Sequence, residues 1–381
     1  MVDTHIDFYS QHNISPVRLD IPNFDSHLEN RTGLFRHLGI LPGLITGKRI
    51  LELGSGSGFN SIHLASLEPE SLTLVDGNPT GVEQAKDLYT KLPAYKKFTK
   101  IEHSMFDDYQ NEEKFDLVIM ENVLVGQPGI DKTLMHATSF VAPGGLFVTS
   151  CMNSVGLMPE TLRRLLALIM VEQSSPLEEK VRQLLPIFNP HLASINGMNR
   201  RHDDWIIDNL LNPMLYPGRK LFSFPETLET IGKDFDFLSS SPRFILDWRW
   251  YKTLRETKDQ NNNLALEQYW MNVHNFLDLN NLSPPRSVKK NQKLLQVCRE
   301  FVDLLYQFET TGKNAYISSL IDALDRFILE VQSFSSSTAE AMNEAREFLS
   351  QDPLDADALS HSKKFGKLFG RANHHFSFIR N

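Results

Sequence analysis

The stretch "RILELGSGSGFNSIHLA", residues 49–65, constrains this chain more than any other. Ile50, Leu51 and Leu53 run into three glycines within five positions, and Ile62, Leu64, Ala65 and Leu67 follow at a spacing that a helix accepts. Strand, glycine turn and helix together open a βαβ unit. Glycine at such a turn admits a ligand close to the backbone and allows dihedrals that side chains oppose. A phosphate-gripping P-loop, G-x-x-x-x-G-K-[ST], is excluded. Counted from Gly54, it would put Phe59 at the second glycine and Asn60 at the lysine. A dinucleotide turn, G-x-G-x-x-G/A, accepts Gly54 and Gly56. It would place Phe59 where a third small residue lets helix and strand pack closely, which weakens that reading.

The pattern instead resembles motif I of the class I S-adenosylmethionine (SAM) methyltransferases: an acid, one spacer, then G-x-G-x-G. Here these are Glu52, Gly54, Gly56 and Gly58. The resemblance implies that SAM is the cofactor, with its methionine part against Gly54, Ser55, Gly56, Gly58 and Asn60, and that Glu52 lies near its amino group. "SLTLVDGNP" (71–79) is an apolar strand ending in Asp76, 22 residues after Gly54, followed by Gly77 and Asn78. A carboxylate there can accept from both ribose hydroxyls. A helix N-cap or turn acid before Gly77-Asn78-Pro79 is the plainer role for Asp76, and the glycine turn ahead of it disfavours that role. A third strand lies in "FTKIEHSMF" (98–106), and the resemblance implies adenine contacts from Ser104, Met105 and Phe106, with the family's usual acid displaced to Asp107. "KFDLVIMENVL" (114–124) matches motif IV. Its Glu121 and Asn122 stand at the carboxyl end of a strand, where open parallel sheets hold ligands. Loop capping is the plainer role for that pair. "FVAPGGLFVTSCMN" (140–153) supplies a fifth strand after a Pro-Gly-Gly turn.

The resemblance covers residues 45–155 and implies an α/β, Rossmann-like seven-stranded sheet. Around it we expect an N-terminal helical cap (1–44), an insertion shaping the acceptor site (156–220), a closing helix with strands six and seven (221–257), and a helical C-terminal domain (258–381). Tyr9, His12, Arg18 and Arg31 are the polar residues of the cap that could close over the cofactor. Ser223 to Glu226 reads as a capping box with a proline in the first turn, as does Ser337 to Glu340 without one. Beyond 258, apolar residues recur at helical spacing in four segments, a bundle that can pack on the core or on a second copy of the chain.

The insertion holds the densest polar cluster, "NRRHDDWIIDNLLNP" (199–213). His202, Asp203 and Asp204 are its candidates for acceptor chemistry, as general base or acceptor contact. A helix would put Asp204 and Asp208 on one face. The plain alternative is a surface helix laced with ion pairs. No metal site is expected. The last stretch, 361–381, carries Lys363, Lys364, Lys367, Arg371 and Arg380 with no acid. It reads as a basic aromatic tail docked on the body, or as a grip for an anionic partner.

Composition bounds the function. The 381 residues are 41% hydrophobic and 23% charged, with a net charge of −8, which argues against a general DNA binder. Two widely separated cysteines, Cys151 and Cys298, suit a reducing cytoplasm and give neither a disulfide framework nor zinc spacing. No run of 18 apolar residues occurs, and the N-terminus lacks a signal-peptide pattern. "ENVL" after strand four is not the [DN]-P-P-[YF] of nucleic-acid amino-methyltransferases, nor does "ENVLVGQPGIDK" carry a double-glutamate hairpin. The expected activity is therefore methyl transfer from SAM to a hydroxyl or amine of a small-molecule or glycan acceptor. A protein or tRNA acceptor, or a non-catalytic SAM-binding scaffold, is the alternative.

Overall fold

A computed structural model describes residues 5–12, 14, 24–125, 129–198, 200–213, 221–254, 258–312 and 315–381. Its chain divides into two compact units: residues 1–152, 221–269 and 373–381 make one, and residues 153–220 and 270–372 the other.

The first unit is built on a seven-stranded sheet: β1 (Arg49–Leu53), β2 (Ser71–Asp76), β3 (Thr99–His103), β4 (Phe115–Met120), β5 (Val141–Met152), β6 (Phe235–Ser241) and β7 (Asn373–Arg380). The strand order is β3-β2-β1-β4-β5-β7-β6. β1 to β5 pair in parallel, and β7 runs antiparallel between β5 and β6. β1 and β2 are almost wholly buried because both faces of a parallel sheet are covered. One covering layer combines Phe35 and Leu38, from and just beyond the helix Phe24–His37, with Ile62 and Leu64 after the glycine turn. They pack with Ile50, Leu72, Leu74, Leu117, Ile119 and Val148 of the strands. The chain leaves β1 outward through β2 and β3 and crosses back from β3 to β4 on the other side of β1, so the order reverses there and opens a crevice at the strands' carboxyl ends.

Strand seven differs from the sequence expectation. Residues 243–250 form no strand, and β7 comes instead from the basic C-terminal stretch. Both segments have the β-branched and aromatic character a strand needs, so local propensity does not choose between them. Pairing does. Phe376 and Phe378, both fully buried, join Phe224 and Phe237 in one aromatic layer, with Phe224 stacked 4.5 Å from Phe376. Residues 243–250 leave Leu246, Trp248 and Trp250 in solvent, Trp248 at 89% exposure. The helical C-terminal domain therefore ends before Asn373 and does not run to 381. The Ser223–Glu226 capping box forms as the sequence implied, starting the helix Phe224–Ile231.

In the second unit the insertion after β5 and the helices between β6 and β7 share one core. Its longer helices are Ser154–Met170, Leu177–Ala193, Val288–Thr311, Ala315–Gln332 and Ser336–Leu349. The last of these is capped by Ser335, whose side chain accepts from Thr338 N, rather than by Ser337. Arg163 is fully buried and donates to the carbonyls of Leu368 (2.8 Å), Phe365 (2.9 Å), Pro159 and Gly366, with Phe369 beneath its guanidinium at 3.7 Å. The basic stretch is pinned at its start by Glu344, which accepts from the backbone N–H groups of Lys363, Lys364 and Phe365. Cys151 and Cys298 are both free and buried. Among the described residues, no helix is long and apolar enough to cross a membrane.

Candidate active site

The glycine turn lies at the carboxyl end of β1, with Gly54, Gly56 and Gly58 at φ +83°, +52° and +75°. Gly54 is required twice over: its φ is left-handed, and a Cβ there would meet Val123 Cγ2 at 2.2 Å. The loop after β4 thus rests directly on this backbone. A Cβ on Gly56 would meet nothing within 4 Å, so that side of the turn is open.

Asp76, at the end of β2, holds the turn from below. Its Oδ2 accepts from Gly56 N and its Oδ1 from Asn78 N, each at 2.7 Å. Burial pushes the Asp76 carboxyl up, and these two donors pull it back. Each oxygen keeps a lone pair for a further donor. Asn78 caps the next helix through Thr80 N at 3.1 Å. The adjacent Gly77 is tightly covered, since a Cβ there would meet Met105 Sδ and Ile6 Cδ1 within 3.0 Å. Ile6 belongs to the helix His5–Gln11, which lies against this edge at that point. Met105 is 45% exposed beside it, and Phe106 approaches Gly54. Arg18 lies outside the described residues.

Glu52 on β1 is 3% exposed, and its Oε2 has no hydrogen-bond partner. Burial, with Glu121 and Asp76 adding to it, raises its carboxyl to about 7 against the pull of Ser61 and Arg31. A buried acceptor waiting for a donor is what an ammonium group of a ligand would satisfy.

Glu121 is bound within the protein. Arg31, from the helix Phe24–His37, grips it bidentately at 2.8 and 2.9 Å, both side chains being buried. Burial alone would push Glu121 up, but the Arg31 guanidinium and His375 hold it below the usual carboxylate range. Next to it Asn122 is exposed and left-handed (φ +56°), a strained conformation for a non-glycine residue, fixed by its N–H donating to Ser150 Oγ at 2.6 Å. Sequence reasoning had Arg31 only as one of four cap residues and missed His375. A pair 90 residues apart leaves no local pattern.

His202, Asp203 and Asp204 belong to the second unit. His202 Nδ1 lies 2.5 Å from Asn189 Oδ1, and Asp203 is paired with Arg201, which holds its carboxyl low. Asp204 is buried. The single helix face expected for Asp204 and Asp208 is interrupted, because the α-helix His202–Ile206 passes into a π-helical turn at Ile207–Leu211. Arg200 pairs with Asp208 there. Among the described residues, no group of three or more His, Cys, Asp or Glu could hold a metal.

The glycine turn, the open side of Gly56, the partnerless Glu52 oxygen and Asp76 fit an adenosine-bearing amino acid such as SAM. Comparison with known proteins agrees with this frame. Residues 45–189 match a family described as a methyltransferase domain. No curated protein matches the chain. Of the solved structures it resembles, PKMT2 from Rickettsia typhi in complex with AdoHcy is 18% identical over 64% of this chain and 49% of that one, with a TM-score of 0.43. Magnesium protoporphyrin IX methyltransferase (ChlM) from Synechocystis PCC 6803 with bound SAM is 20% identical over 34% and 57%, at 0.28. N-methyltransferase NodS from Bradyrhizobium japonicum WM9 with S-adenosyl-L-homocysteine (SAH) is 21% identical over 39% and 71%, at 0.31. The chain thus spans about half to three fifths of the first two proteins. Residues 45–189 thus match a methyltransferase domain, on a sheet that carries its glycine turn at the carboxyl end of β1.

Proposed function

We propose that this chain transfers a methyl group from SAM to a hydroxyl or amine of a small-molecule or glycan acceptor in the cytoplasm. The observation that carries the cofactor is the turn itself, open at Gly56 between the partnerless Oε2 of Glu52 and Asp76. Glu52 would take the amino group, Asp76 the ribose hydroxyls, the Gly54–Gly58 backbone with Asn60 the methionine part, and Ser104, Met105 and Phe106 the adenine. SAM supplies an activated methyl group on a sulfonium, so the protein's work is alignment in a site from which water is excluded. The size of the second unit supports an acceptor larger than a simple metabolite, and two free buried cysteines support a reducing compartment.

Calorimetric titration with SAM, SAH and NAD tests this reading, beside Asp76→Ala. Binding of SAM and SAH, none of NAD, and loss of affinity in the variant are expected. Absence of SAM binding would withdraw the reading. His202, Asp203 and Asp204 stand as a separate proposal for acceptor recognition by the second unit. Unchanged turnover in all three alanine variants would remove them.

A further inference from the structure

The carboxyl ends of β4 and β5 and the amino end of β7 bring a carboxylate, a hydroxyl and an imidazole side by side. Ser150 on β5 pairs with His375 on β7, and the Met120–Thr149 pairing sets Glu121 beside Ser150. His375 Nε2 lies 4.0 Å from Glu121 Oε2. The imidazole remains 18% exposed while Glu121 is at 4%. Arg31 occupies both oxygens of Glu121 and so fixes the carboxylate in place. The charged groups facing His375 are Glu121 from β4 and Arg31 from the helix Phe24–His37, and its strand neighbours are Ser150 and Ser241. Burial lowers the proton affinity of His375, so it stands neutral near pH 7, while Glu121 stabilises the imidazolium once a proton arrives. This end of the sheet is also where a ligand of an open parallel sheet sits.

We propose that His375, backed by Glu121 and Arg31, is a catalytic base that takes the acceptor's proton during methyl transfer. The proposal rests on the SAM reading above. In the step, the acceptor's X–H bond breaks and its proton passes to a ring nitrogen of His375. The freed pair forms the X–CH3 bond, the C–S bond breaks with its electrons going to sulfur, and SAH and an imidazolium remain. Arg31 offsets part of the Glu121 charge, which tempers the carboxylate's hold on the imidazolium. Glu121 and Arg31 act here as positioning residues.

The test uses the charge that distinguishes SAM from SAH, which sits on the sulfur alone. Protein carrying 13C at histidine Cε1 is titrated by NMR between pH 5 and 8, free, with SAH and with SAM, and His375 is assigned by its loss in His375→Gln. A sulfonium within several ångströms lowers the His375 pKa in the SAM complex by about 0.5–2 units relative to the SAH complex. Equal His375 pKa values in two complexes that calorimetry shows to be saturated would overturn the proposal. Failure of both ligands to bind would overturn the cofactor reading first and this inference with it.

Discussion

Replacing Glu52 with glutamine should make the protein more stable at neutral pH and worse at holding SAM. The reasoning starts from a carboxyl that folding raises from an ordinary 4.5 to about 7, chiefly through burial on β1. Between those values the folded state binds a proton that the unfolded chain has released. Stability contributed by the protonated form is fully present below pH 4.5 and is lost as pH rises to 7. A displacement of this size corresponds to about 3 kcal/mol at 1.36 kcal/mol per unit. Glutamine cannot ionise, so the Glu52→Gln variant lacks this loss. The assay is urea unfolding by circular dichroism at half-unit steps from pH 4.5 to 8, with hydrogen exchange of the β1 amides as a local check. The quantity read is the difference between wild type and variant, which cancels other groups such as Glu160, raised by burial to about 7 in the second unit. That difference should grow by about 3 kcal/mol in favour of Glu52→Gln across the range, while SAM affinity falls. Parallel stability curves would refute the account of Glu52 as a carboxyl held ready for a cationic ligand group.

Removing Arg31 strands a buried carboxylate, so Arg31→Met should cost about 3–5 kcal/mol. Adding Glu121→Met should recover most of that, and a double-mutant cycle by denaturation reads the coupling. Gly54→Ala forces a left-handed alanine against Val123 and should cost about 2–4 kcal/mol, with partial recovery when Val123→Ala is added. Arg163→Met deprives four carbonyls of their donor, and should cost about 3 kcal/mol or more. It should also speed hydrogen exchange around Phe365–Phe369 in the second unit, whereas exchange confined to the helix carrying residue 163 would contradict the clamp.

Much of the nucleotide-binding half was legible because its signals are local. Glycines at fixed spacing, an acid closing an apolar strand and a short Pro-Gly-Gly turn each act within ten residues. Asp76 shows the limit of such reading, since its position was clear but its bonds to Gly56 and Asn78 were not. Strand seven was misplaced because "RFILDWRW" and "HHFSFIR" have equal claim to extended structure, and only cross-strand packing of Phe376 and Phe378 against Phe224 decides. The Arg31–Glu121–His375 array joins three distant stretches, and no periodicity reports a contact of that kind. In the insertion, each acid found its own local arginine, Asp203 with Arg201 and Asp208 with Arg200, which the residue cluster alone could not apportion.

The position of β7 also sets a timetable for synthesis. It fills the gap between β5 and β6, yet about 130 residues separate β6 from it in the chain. At ~5–20 residues per second a ribosome needs roughly ten seconds to make them. Through that interval a nascent chain holds two strands with unfilled ladders and an aromatic layer lacking Phe376 and Phe378. Such edges invite pairing with neighbouring chains, so yield on expression should depend on chaperone supply more than the finished protein's stability would suggest.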